Sequence, residues 1–408
     1  MDMKNKKVLV FGSGISGIGA GKLLEQVGAS VVLYDGKETL DKEVLKAQLG
    51  DDTKAEIILG ELSEEVMETL DLVVMSPGVP TDLPVVLKMR DMGIPIWGEV
   101  ELAYTYGKGD VLAITGTNGK TTTTALLGEI MKNYKESVFV VGNIGNPYTA
   151  AALEMREDSV AVAEMSSFQL ETIHEFRPKV SAILNITPDH LNRHHTMEAY
   201  IKAKEDIAKN QTKEDTCVLN YEDEVTRKIG ENVKANVLYF SSQRKLDRGI
   251  YLDDGNIILR QDEEILVCNV NELKLLWDTQ LRECDGSSCY GCGIWDTDGG
   301  YPQDDQRILR EWSTGSNFVR EKDGVAYYND SKGTNPDAAI KGIQAMNRPT
   351  VLIGGGYDKD SEYEEWIQAF DGKVKLLVLV GATKRKLRKQ PRELDLCHML
   401  WQTLLRKQ

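Results

Sequence analysis

Cysteine is scarce: six residues in a chain of 408. That is too few, and too unevenly spaced, for a disulfide framework, which excludes a small secreted scaffold. Positive charge is also in deficit. Lys and Arg number 49 against 64 Asp and Glu, a net charge of −15. A broad basic footprint for nucleic acid is therefore absent, and anionic ligands must be met by local sites. No apolar run reaches the ~18 residues of a membrane span. The first residues, Met1-Asp2-Met3-Lys4-Asn5-Lys6-Lys7, contain no long apolar core and no small-residue cleavage site, which implies a cytoplasmic protein. Repeats and low-complexity tracts are missing too. What remains is ordinary globular composition, 41% hydrophobic and 28% charged, with length enough for two or three domains.

Short apolar runs alternate with helical patterns. Residues 6–12 read as a buried strand entering a glycine turn, followed by a helix to about Gln26 and strands at 31–34 and 72–75. A second series holds strands near 111–115, 138–141, 160–163 and 180–184, and a third near 351–354 and 375–380. This alternation implies an α/β protein with parallel sheets. Boundaries near Gly107 and Gly315 divide it into residues 1–107, 108–315 and 316–408.

Gly12-Ser13-Gly14-Ile15-Ser16-Gly17 fits G-x-G-x-x-G between a strand and a helix, and Asp35 closes the next strand. Such a loop lets a diphosphate approach the helix N-terminus, and an acid at that strand end suits a ribose hydroxyl. NAD binding is the direct reading. A glycine turn needed only for close strand–helix packing is the alternative.

Ile114-Thr115-Gly116-Thr117-Asn118-Gly119-Lys120-Thr121-Thr122 also follows a strand and opens a helix. Ile114 replaces the first glycine of the standard phosphate loop, but the backbone cradle, the lysine and the threonine for Mg²⁺ are present. A phosphate loop beside a second nucleotide-type loop disfavours a plain dehydrogenase. Glu164 ends the strand 160–163, where a carboxylate is placed like a Mg²⁺ ligand, although a solvated strand-end acid reads the same way. Asp189 and His190 end the next strand. Lys204, on a helical stretch, reads by itself as a surface lysine.

Taken in order, these residues carry a resemblance. Gly116–Thr121, then Gly142-Asn143-Ile144-Gly145, Glu164-Met165-Ser166-Ser167-Phe168-Gln169-Leu170, Asn185-Ile186-Thr187-Pro188-Asp189-His190 and Asn329-Asp330-Ser331-Lys332-Gly333-Thr334-Asn335-Pro336 resemble the Mur ligases. The Ser-Ser-Phe-Gln-Leu string and the dinucleotide-like first domain resemble those members that join D-glutamate to UDP-N-acetylmuramoyl-L-alanine in peptidoglycan synthesis.

The resemblance implies three domains: Rossmann-like, phosphate-loop ATPase, and an incomplete Rossmann-like third. The first would hold UDP rather than NAD, through Gly14, Ser16, Asp35, Ser76 and Gly78. Residues 116–122, Gly116, Thr117, Asn118, Gly119, Lys120, Thr121 and Thr122, would bind ATP. Thr121 and Glu164 match ligands of one Mg²⁺. His190 and Lys204 match a second, with Lys204 carbamylated by CO₂. Asn143 and Ser166 match substrate contacts, Lys332 and Thr334 match D-glutamate contacts, and Asp330 matches a residue near ATP. The resemblance further implies a cytoplasmic monomer without nucleic-acid or membrane partners. The competing readings are a related Mur or folylpolyglutamate-type amide ligase, and an NAD oxidoreductase, which the central phosphate loop disfavours.

The resemblance breaks at 277–315. Three of the six cysteines and three of the six tryptophans crowd between Trp277 and Trp312, without helical period. Back-translated and read one base later, Trp277–Glu283 allows Gly-Thr-His-Asn-Tyr-Glu-Asn, the type of motif the family places there. Ile308–Gly315, read two bases later, allows Phe-Thr-Gly-Val-Glu-His-Arg, and the chain after Lys386 allows Ile-Ala-Glu-Thr-Ala. These matches imply an out-of-frame reading of the gene and a product without ligase activity. The alternative is a genuine cysteine-rich metal insertion. Cys284, Cys289 and Cys292 are too few ligands, at poor spacing, for a zinc site.

Overall fold

The computed structural model describes residues 2–270, residues 317–383 other than 332, 345, 358, 360 and 361, and residues 399–400. The segment 277–315, the boundary at Gly315, Lys332 and the chain after Lys386 (399–400 excepted) lie outside the described residues.

Strands β1 (Lys7–Phe11), β2 (Ser30–Asp35), β3 (Glu56–Leu59), β4 (Leu72–Met75) and β5 (Ile96–Gly98) form one parallel sheet in the order β3-β2-β1-β4-β5. Alternate residues of β1 serve opposite faces. Val8 and Val10 enter one apolar cluster, Leu9 and Phe11 another. A sheet covered on both sides explains why the strand reads as a continuous apolar run.

A second sheet contains β6 (Asp110–Thr115), β7 (Val138–Gly142), β8 (Val160–Glu164), β9 (Val180–Ile183), β10 (Thr216–Asn220), β11 (Asn236–Ser241), β12 (Gly249–Asp253), β13 (Asn256–Arg260) and β14 (Glu264–Asn269). Its order is β14-β13-β12-β11-β10-β9-β6-β8-β7. Strands β7 to β12 pair in parallel, and β12, β13 and β14 pair antiparallel. From β6 the chain runs past β8 to β7 at the edge, and from the neighbouring β8 it runs the other way, past β6 to β9. That switch point is where open α/β sheets bind ligands, beyond the carboxyl ends of the strands.

Gly107 lies between the helix Glu99–Tyr106 and β6. The two sheets share one apolar cluster that includes Val8, Leu33, Val100, Ala113, Phe176 and Ile207. Polar contacts fasten the junction. Gly98 N donates to Thr172 O at 2.9 Å. The buried Glu101 carboxylate accepts the backbone N–H groups of His174, Glu175 and Phe176 at 2.7, 2.7 and 3.1 Å.

Toward the C-terminus, β15 (Asn317–Lys322) and β16 (Val325–Asn329) form a hairpin, and β17 (Thr350–Gly356), β18 (Val374–Gly381) and β19 (Met399–Leu400) form a parallel sheet. Ile343, Trp366, Ile367, Phe370, Leu377 and Leu379 make its separate apolar cluster. Among the described residues no helix is long and apolar enough to cross a membrane.

Candidate functional site

The N-terminal glycine loop is built by close approach. Gly12 has φ +99°, and a Cβ on Gly17 would lie 1.8 Å from Gly12 O, so neither position admits a side chain. A Cβ on Gly14 would meet nothing within 4 Å, which leaves a gap above the helix Ile15–Gln26. Ser76 Oγ, buried, donates to Gly12 O at 3.1 Å and ties the end of β4 to the loop. Asp35 accepts from Ser13 N at 3.0 Å, Ser13 Oγ at 2.7 Å and Lys37 N at 3.1 Å. Burial pushes this carboxyl up, but the bonds from Ser13 and Lys37 outweigh it and hold it below its ordinary value. Ser16 is half-buried and Gly78 exposed at the same edge. Ile15 is 79% exposed at the loop's tip, an apolar side chain that the motif itself does not single out.

The second loop joins β6 to the helix Lys120–Tyr134. Gly119 has φ +83° at the helix N-cap, which puts the free N–H groups of the first turn at the loop. Lys120 Nζ donates to Gly116 O and Thr117 O, each at 2.9 Å. Thr117 Oγ1 lies 3.0 Å from Thr187 O and 3.1 Å from the Tyr200 hydroxyl, so the loop is pinned to the end of β9 and to the helix Met197–Glu205. Thr121 and Thr122 are half-buried on the first turn.

Glu164 ends β8 and is 2% exposed. Its Oε1 accepts from Asn143 Nδ2 at 2.8 Å, while its Oε2 is buried without a hydrogen-bond partner. An unpartnered buried carboxylate oxygen is costly unless something else satisfies it, and a hard cation does so. Ser166 caps the short helix Ser167–Leu170 through a reciprocal capping box with Gln169.

Asp189 and His190 follow β9. His190 has φ +55° and packs edge-on against Phe168, with ring centroids 4.9 Å apart. Asp189 Oδ1 accepts from Lys359 Nζ at 3.1 Å. Lys204, read from sequence alone as a surface residue, is 2% exposed. Its Nζ donates to Gly116 O at 2.7 Å and lies 4.8 Å from the Tyr200 ring centroid. Burial, and then the charge of Lys120, push this amine well below its ordinary value against the pull of Asp189. A lowered pKa eases deprotonation of the amine, and the deprotonated amine is the nucleophilic form.

Some C-terminal residues reach the same place, and Asp330 and Thr334 are not among them. Asp330 follows β16 and is exposed, as is Thr334. Asn335, Asp337 and Lys359 contact the central strand ends. Arg193 also joins parts of the site: it donates to Val79 O at 3.1 Å and Glu171 Oε2 at 2.8 Å. Sequence reasoning passed over these residues, although Asn335 sits inside a motif it singled out.

No group of three or more His, Cys, Asp or Glu among the described residues forms a metal cage. Mg²⁺ held by one or two protein oxygens plus phosphate and water needs none.

A glycine loop between a parallel strand and a helix, with lysine at the helix start, defines a phosphate-loop nucleotide-binding protein of the α/β class. The chain belongs to the Mur ligase family. The Mur ligase middle domain matches residues 114–281, and the Mur ligase MurD-like N-terminal domain matches residues 6–98. The UDP-N-acetylmuramoylalanine–D-glutamate ligase of Lachnoclostridium phytofermentans is 55% identical over 395 residues, covering 95% of this chain and 85% of that protein. The ligase of the same name from Clostridioides difficile is 46% identical, covering 94% and 85%. Among solved structures, the UDP-N-acetylmuramate-alanine ligase of Thermotoga maritima superposes with TM-score 0.59 at 19% identity, covering 97% of this chain and 90% of that one. The MurF ligase of Thermotoga maritima, solved with ADP, gives TM-score 0.53 at 18% identity, covering 93% and 82%.

Proposed function

We propose that this gene's product joins D-glutamate to UDP-N-acetylmuramoyl-L-alanine at the expense of ATP, as a cytoplasmic monomer in peptidoglycan synthesis. What carries the reading is one convergence in a chain 55% identical to a D-glutamate ligase: Lys120 and the buried Lys204 share the carbonyl of Gly116, at the strand ends that hold Glu164 and His190.

In this reading the glycine loop with Gly14, Ser16, Asp35, Ser76 and Gly78 holds the diphosphate and ribose of UDP. Asp35 acts through Ser13, keeping the loop in shape. Residues 116–122 cradle ATP. The L-alanine carboxylate attacks the γ-phosphorus, ADP leaves, and an acyl phosphate forms. The D-glutamate amine then attacks the acyl carbon and inorganic phosphate leaves. Both steps gather negative charge, which the Lys120 ammonium and the helix N–H groups stabilise. Thr121 and Glu164 would hold one Mg²⁺, and His190 with carbamylated Lys204 a second. When bound, Mg²⁺ supplies positive charge to the phosphoryl oxygens. Lys204, its pKa pushed down first by burial, gives up its proton more easily and so is suited to take up CO₂, and the carbamate turns a nitrogen base into an oxygen donor. Asn143 orients Glu164 and, with Ser166, borders the sugar substrate. Lys332 and Thr334 hold the D-glutamate carboxylates, and Asp330 lies near ATP.

We also propose that 277–315 and the chain after 386 are out of frame, so that the polypeptide as written lacks turnover. The match to the Mur ligase middle domain ends at residue 281, just inside the first of these segments. Phosphate release from ATP with UDP-N-acetylmuramoyl-L-alanine and a panel of amino acids tests both proposals. The frame-restored protein releases phosphate with D-glutamate alone, and the protein as written does not. Preference for another amino acid overturns the substrate reading. Full activity of the chain as written overturns the frame reading.

A further inference from the structure

One residue of the phosphate loop is held from two sides. The backbone of Asn118 is gripped by the central sheet: its N donates to Asn185 Oδ1 at 2.8 Å, and its O accepts from Asn185 Nδ2 at 3.1 Å. Its side chain is gripped by the C-terminal part. Asn118 Nδ2 donates to Asp337 Oδ2 at 2.7 Å, and Asn118 Oδ1 accepts from Asn335 Nδ2 at 3.0 Å. The two contacts fix the amide's orientation, because a flipped amide would set oxygen against the Asp337 carboxylate.

Both partners belong to the start of one helix, Pro336–Gln344. Asn335 is 8% exposed, and its Oδ1 accepts from Ala338 N at 2.8 Å. Its Nδ2 also reaches Asp189 Oδ2 at 3.4 Å, and Lys359 Nζ reaches Asp189 Oδ1 at 3.1 Å. The C-terminal part thus touches the central sheet at two places, the phosphate loop and the residue before His190. Asn118 immediately precedes Gly119, whose φ of +83° sets the start of the phosphate-loop helix. A shift of Asn118 would turn the N–H groups that a phosphate needs.

We propose that Asn118 is a positioning residue that reads whether the C-terminal part is docked: its amide, held by Asn335 and Asp337, locks the phosphate loop in its anion-binding form. Docking and nucleotide binding are then linked, and each strengthens the other by the same factor. The lock favours nucleotide retention while the third part of the site is in place, and release once that part swings away. The inference rests on the reading of residues 116–122 as the nucleotide loop.

The test is a double-mutant cycle on the chain as it stands. Affinity for a non-hydrolysable ATP analogue with Mg²⁺ is measured by calorimetry for Asn118→Ala, Asp337→Ala and the double variant. X-ray scattering with and without the analogue follows docking. Each single change weakens binding about fivefold or more, and the double variant is no weaker than the worse single one. Asp337→Asn keeps an acceptor oxygen and retains affinity within about twofold. The analogue compacts the unaltered chain, and this compaction is smaller in Asp337→Ala. Losses that multiply in the double variant, or affinity unchanged by Asp337→Ala, overturn this inference alone. Failure of the unaltered chain to bind the analogue overturns the phosphate-loop reading and the inference together.

Discussion

Asn143 Nδ2 donates to Glu164 Oε1 at 2.8 Å across the ends of two adjacent parallel strands, β7 and β8. The bond uses one carboxylate oxygen and leaves the buried Oε2 without a partner. Groups that orient a metal ligand typically matter about 10–100-fold in metal affinity. Asn143→Ala therefore weakens Mg²⁺-dependent nucleotide binding by that order, read from Mg²⁺ titrations at fixed nucleotide. An unchanged Mg²⁺ midpoint would remove Glu164 from the metal site.

Lys120→Ala removes the ammonium that rests on Gly116 O and Thr117 O. Loss of one group aimed at developing charge costs roughly 10²–10³ in turnover, about 3–4 kcal/mol. Steady-state phosphate release by the frame-restored protein measures it. Near-normal turnover would mean that residues 116–122 do not carry the γ-phosphate.

Lys204→Ala abolishes turnover in the same protein, and short added carboxylates restore part of it. Labelled bicarbonate gives a carbamate signal by carbon NMR in the unaltered protein and none in the variant. Indifference of both activity and spectrum would leave the buried lysine a structural donor to Gly116 O.

Glu99 is 2% exposed; its Oε1 accepts from Gln169 Nε2 at 2.8 Å, and its Oε2 is buried with no hydrogen-bond partner among the described residues. Burial pushes its pKa up from 4.5 to about 7, against that bond. A raised folded pKa means that the native state holds the proton more tightly than the unfolded chain. The stabilisation is complete below about pH 4.5 and is lost as pH rises to about 7, a swing of about 3 kcal/mol. Glu99→Gln keeps an acceptor for Gln169 and removes the titration. Urea unfolding at pH 5 and pH 8 shows the variant gaining on the parent at the higher pH. Parallel curves would put the proton elsewhere.

The parallel strands were legible because buried strands read as unbroken apolar runs, as Val8–Phe11 and Leu72–Met75 do. The family was legible because its motifs sit at strand ends. The edge hairpin was not read, although its signal is local. Asp254 and Gly255, both at positive φ, form the two-residue turn between β12 and β13, and Asp323 and Gly324 repeat it between β15 and β16. Burial of Lys204 was beyond local reading, because it depends on the helix Met197–Glu205 packing under a loop some 85 residues earlier. The engagement of Asp35 by Ser13 and of Asn118 by Asp337 likewise depends on pairings that no short window contains.

The order of strands in the central sheet also bears on how the chain matures during synthesis. β6 emerges first but is flanked by β8 and β9, while β7 ends at the far edge. Until residue 183 has left the ribosome, one edge of β6 has no strand to pair with, and until residue 204 has left, the underside of the phosphate loop has no lysine. Nascent chains halted before that point carry the entire glycine-lysine motif yet lack the walls that shape it. A pocket of this shape is therefore complete only when the chain through Lys204 is out, and until β9 pairs with it β6 has an open strand edge.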